Sequence, residues 1–375
     1  MDILIFGRKD SIFVKELISV IHEKYNINFE IIDIFHLEHI SCSNNLIKKI
    51  ISLPAFLDKP LIRLFFSIPI TFQYLLKIKK RYDICHIVYK KFQYCFLINL
   101  ICQKGKKTIV TIFGSDFYKN HLKYFDRNFY NKVDYITFAN EQTKTDFNHY
   151  YHFKFNNKIN ICPFGLLVLN KIDEINKKQN SRQIKKKLGY NPETIIIICG
   201  GNRSINEQHE KIINELSLLK NLSDIKPIVF IFPMTYGGSL KRVFFIQELI
   251  SKKIPKLNTK IIKNYQNIDD VAQLRLITDI QINIRKTDQL SGVMLENMYV
   301  GGVIINGSWL PYNNLSKKNI YYEKISQTKH LHKKIETVIN NIENYKNKTT
   351  NNHTTIKKLY HWNTTSKLWY TLYNK

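Results

Sequence analysis

The sequence predicts two α/β domains in tandem, each built on a parallel sheet. Short apolar runs ending in Gly or a polar residue alternate with longer amphipathic stretches, which is the rhythm of strand–helix units. That rhythm stops at a lysine-rich stretch, 169–187, and then starts afresh. The 375 residues also exceed one ordinary core, since domains cluster at roughly 100–200 residues. No internal period of about 20–50 residues repeats, so a solenoid is excluded.

Met1–Phe6 reads as the first strand, and Gly7 opens the turn into a helix over Ser11–Tyr25 with apolar Phe13, Val14, Leu17, Ile18 and Ile21. Further strands are expected at Phe29–Ile34, Ile84–Tyr89, Thr108–Phe113, Tyr135–Ala139 and Ile159–Pro163, which close a first domain at residues 1–168. The polar run 169–187 has the composition of a linker or a solvated helix. A second domain, 188–345, opens with strand Thr194–Cys199 running into Gly200-Gly201-Asn202, and a helix His209–Lys220 follows. Strands at Pro227–Phe232, Thr259–Ile262, Ile280–Ile284 and Val303–Asn306, the last expected, alternate with helices at Val243–Lys252 and Val271–Thr278. Ile339–Thr355 carries almost no apolar period and reads as a polar helix or loop. Within the closing segment, 346–375, Trp362, Leu368, Trp369 and Leu372 need a surface to bury, so a final helix packs back on the body. Both domains are Rossmann-like, and ligands of such sheets sit beyond the strand C-termini, here expected in the cleft between the domains.

Composition narrows the function. With 44% apolar and 13% aromatic residues the chain is not disordered. Lys and Arg number 57 against 30 Asp and Glu, and the net +27 points to an anionic partner: nucleic acid, acidic lipid or a phosphorylated ligand. Part of it is compositional, because Lys, Asn and Ile crowd the whole chain as AT-rich coding would make them. Arg is scarce, and no RRM, KH or zinc signature is present, which weakens the alternative of a basic nucleic-acid-binding protein. A sugar-nucleotide epimerase would need a GxGxxG after the first strand, and this chain has none there. The cysteines Cys42, Cys85, Cys95, Cys102, Cys162 and Cys199 form no CxxC pair, which argues against zinc or a disulfide framework and fits a reducing cytoplasm. The N-terminal run is too short for a signal peptide. The run from Leu61 is interrupted by Arg63, Pro69 and Gln73, so it can lie in an anionic interface with Lys77, Lys79, Lys80 and Arg81 but should not cross a membrane; core helices with a basic end are the alternative.

The strongest local signal is DQLSGVMLENMYVGGVII, from Asp288 to Ile305. Ser291 is a good N-cap, Gly292 permits close backbone approach, and Val293–Val300 reads as a helix stopped by Gly301. Its free N–H groups form a ready diphosphate cradle. Glu296, one turn inside, can accept from a ribose diol, and Asp288 lies on the approaching loop; two ordinary surface acids are the alternative. This segment resembles the acidic-x7-Glu motif of GT-B nucleotide-sugar glycosyltransferases, with Asp288 where the first acid is usually Glu.

A closer resemblance joins Gly201-Asn202-Arg203-Ser204, His209 and Phe232-Pro233-Met234-Thr235-Tyr236-Gly237 to the bacterial 4-acetamido-4,6-dideoxygalactose (TDP-Fuc4NAc) lipid II transferases and related O-antigen enzymes, over about residues 195–312. It implies a metal-independent enzyme without a cofactor that takes a nucleotide-diphosphate sugar as substrate and a lipid-linked saccharide as acceptor. It also implies a peripheral place on the cytoplasmic face of the bacterial inner membrane. The first domain would bind acceptor and the second donor. Arg203 can fork a donor phosphate and His209 donate to it; Arg285 is a second cation, or an ion-pair partner of Asp288. Tyr236 can stack on the nucleobase or be a turn aromatic. In the first domain Asp116 ends a strand, as a candidate general base or an Asx-type helix cap. His86, in Tyr82-Asp83-Ile84-Cys85-His86, resembles a strand of these enzymes, with a satisfied strand-end histidine as the plainer reading.

Overall fold

In a computed structural model, the described residues are 1–9, 11–33, 60–118, 126–219, 227–288 and 290–375. They divide into two compact units, Met1–Gly165 with Trp362–Lys375, and Leu166–His361.

Unit 1 holds six parallel strands, β1 (Asp2–Phe6), β2 (Asn28–Ile32), β3 (Tyr82–Val88), β4 (Gly105–Ile112), β5 (Tyr135–Phe138) and β6 (Ile159–Ile161), in the order β2-β1-β3-β4-β5-β6. Helices cover both faces of such a sheet, so its central strands are apolar throughout rather than alternating. Ile3 to Phe6 and Ile84 to Val88 are accordingly buried without a break. Helix Trp362–Asn374 completes this unit: Trp362 and Trp369 are fully buried, and their indole N–H groups donate to Glu16 Oε2 (2.9 Å) and the Pro163 carbonyl (3.1 Å). Gly165 is required beneath it, because a Cβ there would lie 2.4 Å from the Trp362 ring. Leu368, expected to be buried, stays exposed on the outer face of the helix.

Unit 2 holds β7 (Ile195–Cys199), β8 (Ile228–Pro233), β9 (Thr259–Ile262), β10 (Ile280–Asn283), β11 (Val303–Gly307) and β12 (Glu323–Ile325), all parallel, in the order β12-β11-β10-β7-β8-β9. The strand sequence reverses between β7 and β10, with Ile280 paired to Ile197 and Val303 on its two sides.

One sequence expectation changes, and two open readings resolve. Of the linker and helix readings of 169–187 the structure has helix, packed rather than solvated: Leu167–Asn176 and Ser181–Lys187 bury Leu169, Ile172 and Ile184 in unit 2, and buried Lys185 binds Asp279 at 2.8 Å. The second helix begins with a capping box between Asn180 and Gln183. Val303–Asn306 is not the last strand, since the short β12 adds to the edge beside β11. Of the helix and loop readings of the polar tail the helix is in place, over Leu331–Asn340, Ile342–Lys348 and Thr350–Tyr360, anchored by Ile335, Ile342, Ile356 and Tyr360. Ile34, Cys42 and Lys59 lie outside the described residues, as does everything from Lys119 to Phe125. Pro69 stands inside helix Pro60–Lys77, and no helix of the described residues is long and apolar enough to cross a membrane.

Candidate active site

Ligands of a parallel sheet bind beyond the strand C-termini where strand order reverses, which in unit 2 is the gap between β7 and β10. Three loops are knit together there. After β7, Gly200 takes φ +77° and its N–H donates to the Ile282 carbonyl at 3.1 Å, while a Cβ on it would lie 2.8 Å from His209 Nε2. Gly201 N–H donates to Glu207 Oε2 (3.0 Å), and Asn202 Oδ1 accepts from the Ser204 N–H (2.8 Å). Arg203 N–H donates to the Tyr236 carbonyl at 2.8 Å, which seats the post-β8 loop against the post-β7 loop. After β10, the Lys286 and Thr287 N–H groups donate to the backbone carbonyl and Oδ1 of Asn206 at 2.9 and 3.1 Å, and Asn206 Nδ2 donates to Thr287 O. Gln208 Nε2 donates to the Ile284 carbonyl.

Among the charged groups, Arg285 is clamped between Glu207 (2.7 Å) and Asp288 (3.0 Å), and Trp309 Nε1 donates to its carbonyl at 2.7 Å. Burial opposes its charge, but the two carboxylates outweigh burial and hold the guanidinium protonated. Tyr312 OH donates to Asp288. Of the two sequence readings of Arg285, the ion pair is therefore the one in place, and buried Glu207, which sequence reasoning missed, is its inner partner. Burial also raises the Glu207 pKa, against the pull of Arg285. Arg203 differs: its Nε is buried with no hydrogen-bond partner, and no carboxylate of the described residues pairs with it. His209 starts helix His209–Leu216 directly behind Gly200, fully buried, with neither ring nitrogen hydrogen-bonded; burial lowers its pKa to about 4, so the ring is neutral.

Helix Gly292–Tyr299 enters the same place with its N-terminus. Ser291 caps it, accepting from the Met294 N–H at 3.3 Å. Gly301, at φ +81°, follows its end. A Cβ at Gly292 would lie 3.8 Å from Glu296 Oε1, so that oxygen faces the open side of the glycine. Glu296 Oε2 is occupied: it accepts from Arg275 Nε at 2.9 Å, both side chains being buried. Arg275 was missed in the sequence, although an arginine among Ala272, Leu274 and Ile277 on helix Ile268–Ile277 has to find an acid. Tyr236 is half exposed, and burial of its hydroxyl and the Glu296 charge raise its pKa.

In unit 1, Asp116 lies in the first turn of helix Ser115–Tyr118, and its donors come from the residues before that helix and from the end of β3. Oδ1 accepts from the Phe113 and Gly114 N–H groups (2.9 and 2.8 Å) and Oδ2 from the Lys90 N–H (3.0 Å), which ties the ends of β3 and β4 together. Burial pushes its pKa up to about 7 against those donors. Backbone donors thus hold both carboxylate oxygens and fix the side chain at the ends of β3 and β4. His86 is a satisfied core residue: Nδ1 meets Tyr373 OH at 3.0 Å and Nε2 meets Thr111 Oγ1 at 2.7 Å.

No protein-family model matches the chain, and no curated protein does. Solved structures do. A glycosyltransferase from Rickettsia africae superposes with TM-score 0.72 at 14% identity, covering 100% of this chain and 97% of that one. A sucrose-phosphate synthase from Thermosynechococcus elongatus gives 0.71 at 11% identity, with 100% and 98% covered. The Anabaena protein HepE, solved with UDP and glucose, gives 0.67 at 11% identity, with 99% of each chain covered. The chain has the GT-B fold.

Proposed function

We propose that the protein is a GT-B glycosyltransferase that moves a sugar from a nucleotide-diphosphate donor to a polyprenyl-diphosphate-linked saccharide in bacterial surface polysaccharide assembly. The observation that carries the reading is the capped N-terminus of helix Gly292–Tyr299 lying against the post-β7 loop that carries Arg203, with Val293 3.3 Å from a Cβ at Gly201 and Glu296 Oε1 3.8 Å from one at Gly292. The donor diphosphate takes the helix N–H groups and Arg203, a charge-assisted contact of about 1.5–3 kcal/mol. Glu296 Oε1 accepts from the ribose, Tyr236 stacks on the base, and Asn202, Gly201 and Gly292 let the loops approach. Asp288 faces the sugar while Arg285 holds it in place. Neutral His209 supports the turn at Gly200 and supplies one N–H donor toward the phosphate side. As the glycosidic bond breaks, negative charge grows on the departing diphosphate, and Arg203 is placed to stabilise it without a metal ion. HepE was solved with UDP-glucose as well, so UDP is the first nucleotide to try.

Peripheral attachment on the cytoplasmic face of the inner membrane belongs to the same proposal. Helix Pro60–Lys77 exposes Phe72 and Leu76 one turn apart, followed by Lys77 and Lys79. Lys80 contributes less than the sequence implied, being held by Glu30 (2.8 Å) and Asp2 (3.2 Å).

A thermal-shift panel of UDP, dTDP, GDP and CMP tests the donor site, since a ligand at about 100 times its Kd stabilises the folded state by about 2.7 kcal/mol. One diphosphate should raise the unfolding midpoint, and Arg203→Ala should erase most of the rise. Absence of any shift across the panel would overturn the reading.

A further inference from the structure

Helix Leu240–Lys253 of unit 2 buries Val243, Ile246 and Ile250 against its sheet. The opposite face of such a helix is ordinarily polar. Here it exposes Leu240 (63%), Phe244 (67%) and Phe245 (49%). Leu240 and Phe244 stand one above the other, and Phe245 stands beside them above Lys241. The surroundings are cationic. Lys241 and Lys252 are exposed on the same face, and Lys263, beyond β9, lies 5.9 Å from the Phe244 ring centre with exposed Tyr265 two residues on. Glu248 is the acid of this outward face; Glu210 is occupied by the fork of Arg242 at 2.7 Å.

We propose that this helix face docks on an anionic lipid bilayer, with Leu240, Phe244 and Phe245 entering the interface and Lys241, Lys252 and Lys263 meeting headgroup phosphates. The chemistry favours lipid over protein. Protein–protein interfaces are depleted of Lys, whereas Phe and Leu flanked by Lys is the composition of a helix lying in a membrane surface. The net charge of +27 draws the whole molecule to the same partner. The surface is separate from helix Pro60–Lys77 and does not depend on the nucleotide reading.

The test is flotation of the full chain with phosphatidylcholine vesicles, with and without phosphatidylglycerol. The parent should float only with the acidic vesicles. L240S/F244S/F245S should bind at least about tenfold more weakly, since three apolar insertions are lost, while its nucleotide-induced thermal shift stays as in the parent. Phe244→Trp should show a blue-shifted emission on adding those vesicles, beyond any change in the parent. Unaltered flotation of the triple Ser variant overturns the inference; if K77Q/K79Q fails to float in the same assay, attachment through helix Pro60–Lys77 stands alone. A concentration-dependent dimer in sedimentation that the triple Ser variant abolishes would also overturn it, and would assign the face to a second copy of the chain.

Discussion

Glu296 illustrates what a single residue's sequence context reveals and what it hides. Its place one turn inside a capped helix was legible, because Ser291 and Gly292 announce the N-terminus and Gly301 the end. Its partner was not, because Arg275 comes from a different helix and only tertiary packing brings the two together. That pairing changes what mutation should do. Glu296→Ala strands a buried guanidinium and should cost about 3–5 kcal/mol in urea unfolding, more than the double variant Arg275→Met/Glu296→Met, which removes both charges. A double variant at least as destabilised as the single would show that the pair contributes by packing alone. His209 makes a second prediction. Its folded pKa near 4 lies below the ordinary value near 6.5, so the unfolded chain binds the extra proton between those pH values. Stability from this residue is therefore complete above about pH 6.5 and is lost as pH falls toward 4, at about 1.4 kcal/mol per pH unit. His209→Gln should flatten the unfolding profile over that window relative to the parent; parallel profiles would mean the ring is protonated in the fold. Glu207, raised by burial, titrates the other way, and the difference between parent and variant isolates the histidine.

At the scale of elements, strands were the most legible part. Buried parallel strands are short, nearly continuous apolar runs ending in Gly or a polar residue, and β1 and β7, each followed by glycine, stand where those runs stand. Helices Leu167–Asn176 and Ser181–Lys187 were legible as one of two readings and not as packed elements, since a few apolar positions anchor each and lysines fill the rest. The capping box at Asn180 was the available signal. β12 escaped because three residues with one buried side chain make no pattern. Loop geometry was legible only as glycine. Gly237 takes φ +87°, and a Cβ there would lie 2.8 Å from Asn202 Oδ1, so Gly237→Ala should cost about 1–2 kcal/mol in backbone strain and also displace the post-β7 loop of the proposed donor site. Gly189 is the control, with φ +81° and nothing within 4 Å of its Cβ position: Gly189→Ala should lose similar stability and keep the full nucleotide shift. Equal nucleotide shifts in the two variants would detach the Gly237 loop from the donor site.

The molecule as a whole is two Rossmann-like units, and the chain passes from the first to the second at Gly165 and returns at Trp362. The apolar content of the last helix was readable from its tryptophans; its membership of the first unit was not, because no sequence pattern says which of two surfaces a helix will meet. Ending the chain at His361 should therefore damage unit 1 rather than unit 2. It removes two fully buried tryptophans, of the order of 3–5 kcal/mol each, and leaves His86 without its Tyr373 partner, against a total domain stability of about 5–15 kcal/mol. Calorimetry of the shortened chain should lose the unit 1 transition and retain a nucleotide-responsive one; survival of both transitions would show that the helix is dispensable. The same return fixes an order of events during synthesis. At about 5–20 residues per second, all of Leu166–His361 must leave the ribosome before Trp362 does, an interval on the order of tens of seconds. Unit 1, though made first, spends that time with the groove for its last helix open. Unit 2 is the first to have its whole chain available, while the nascent N-terminal half still waits for its last helix.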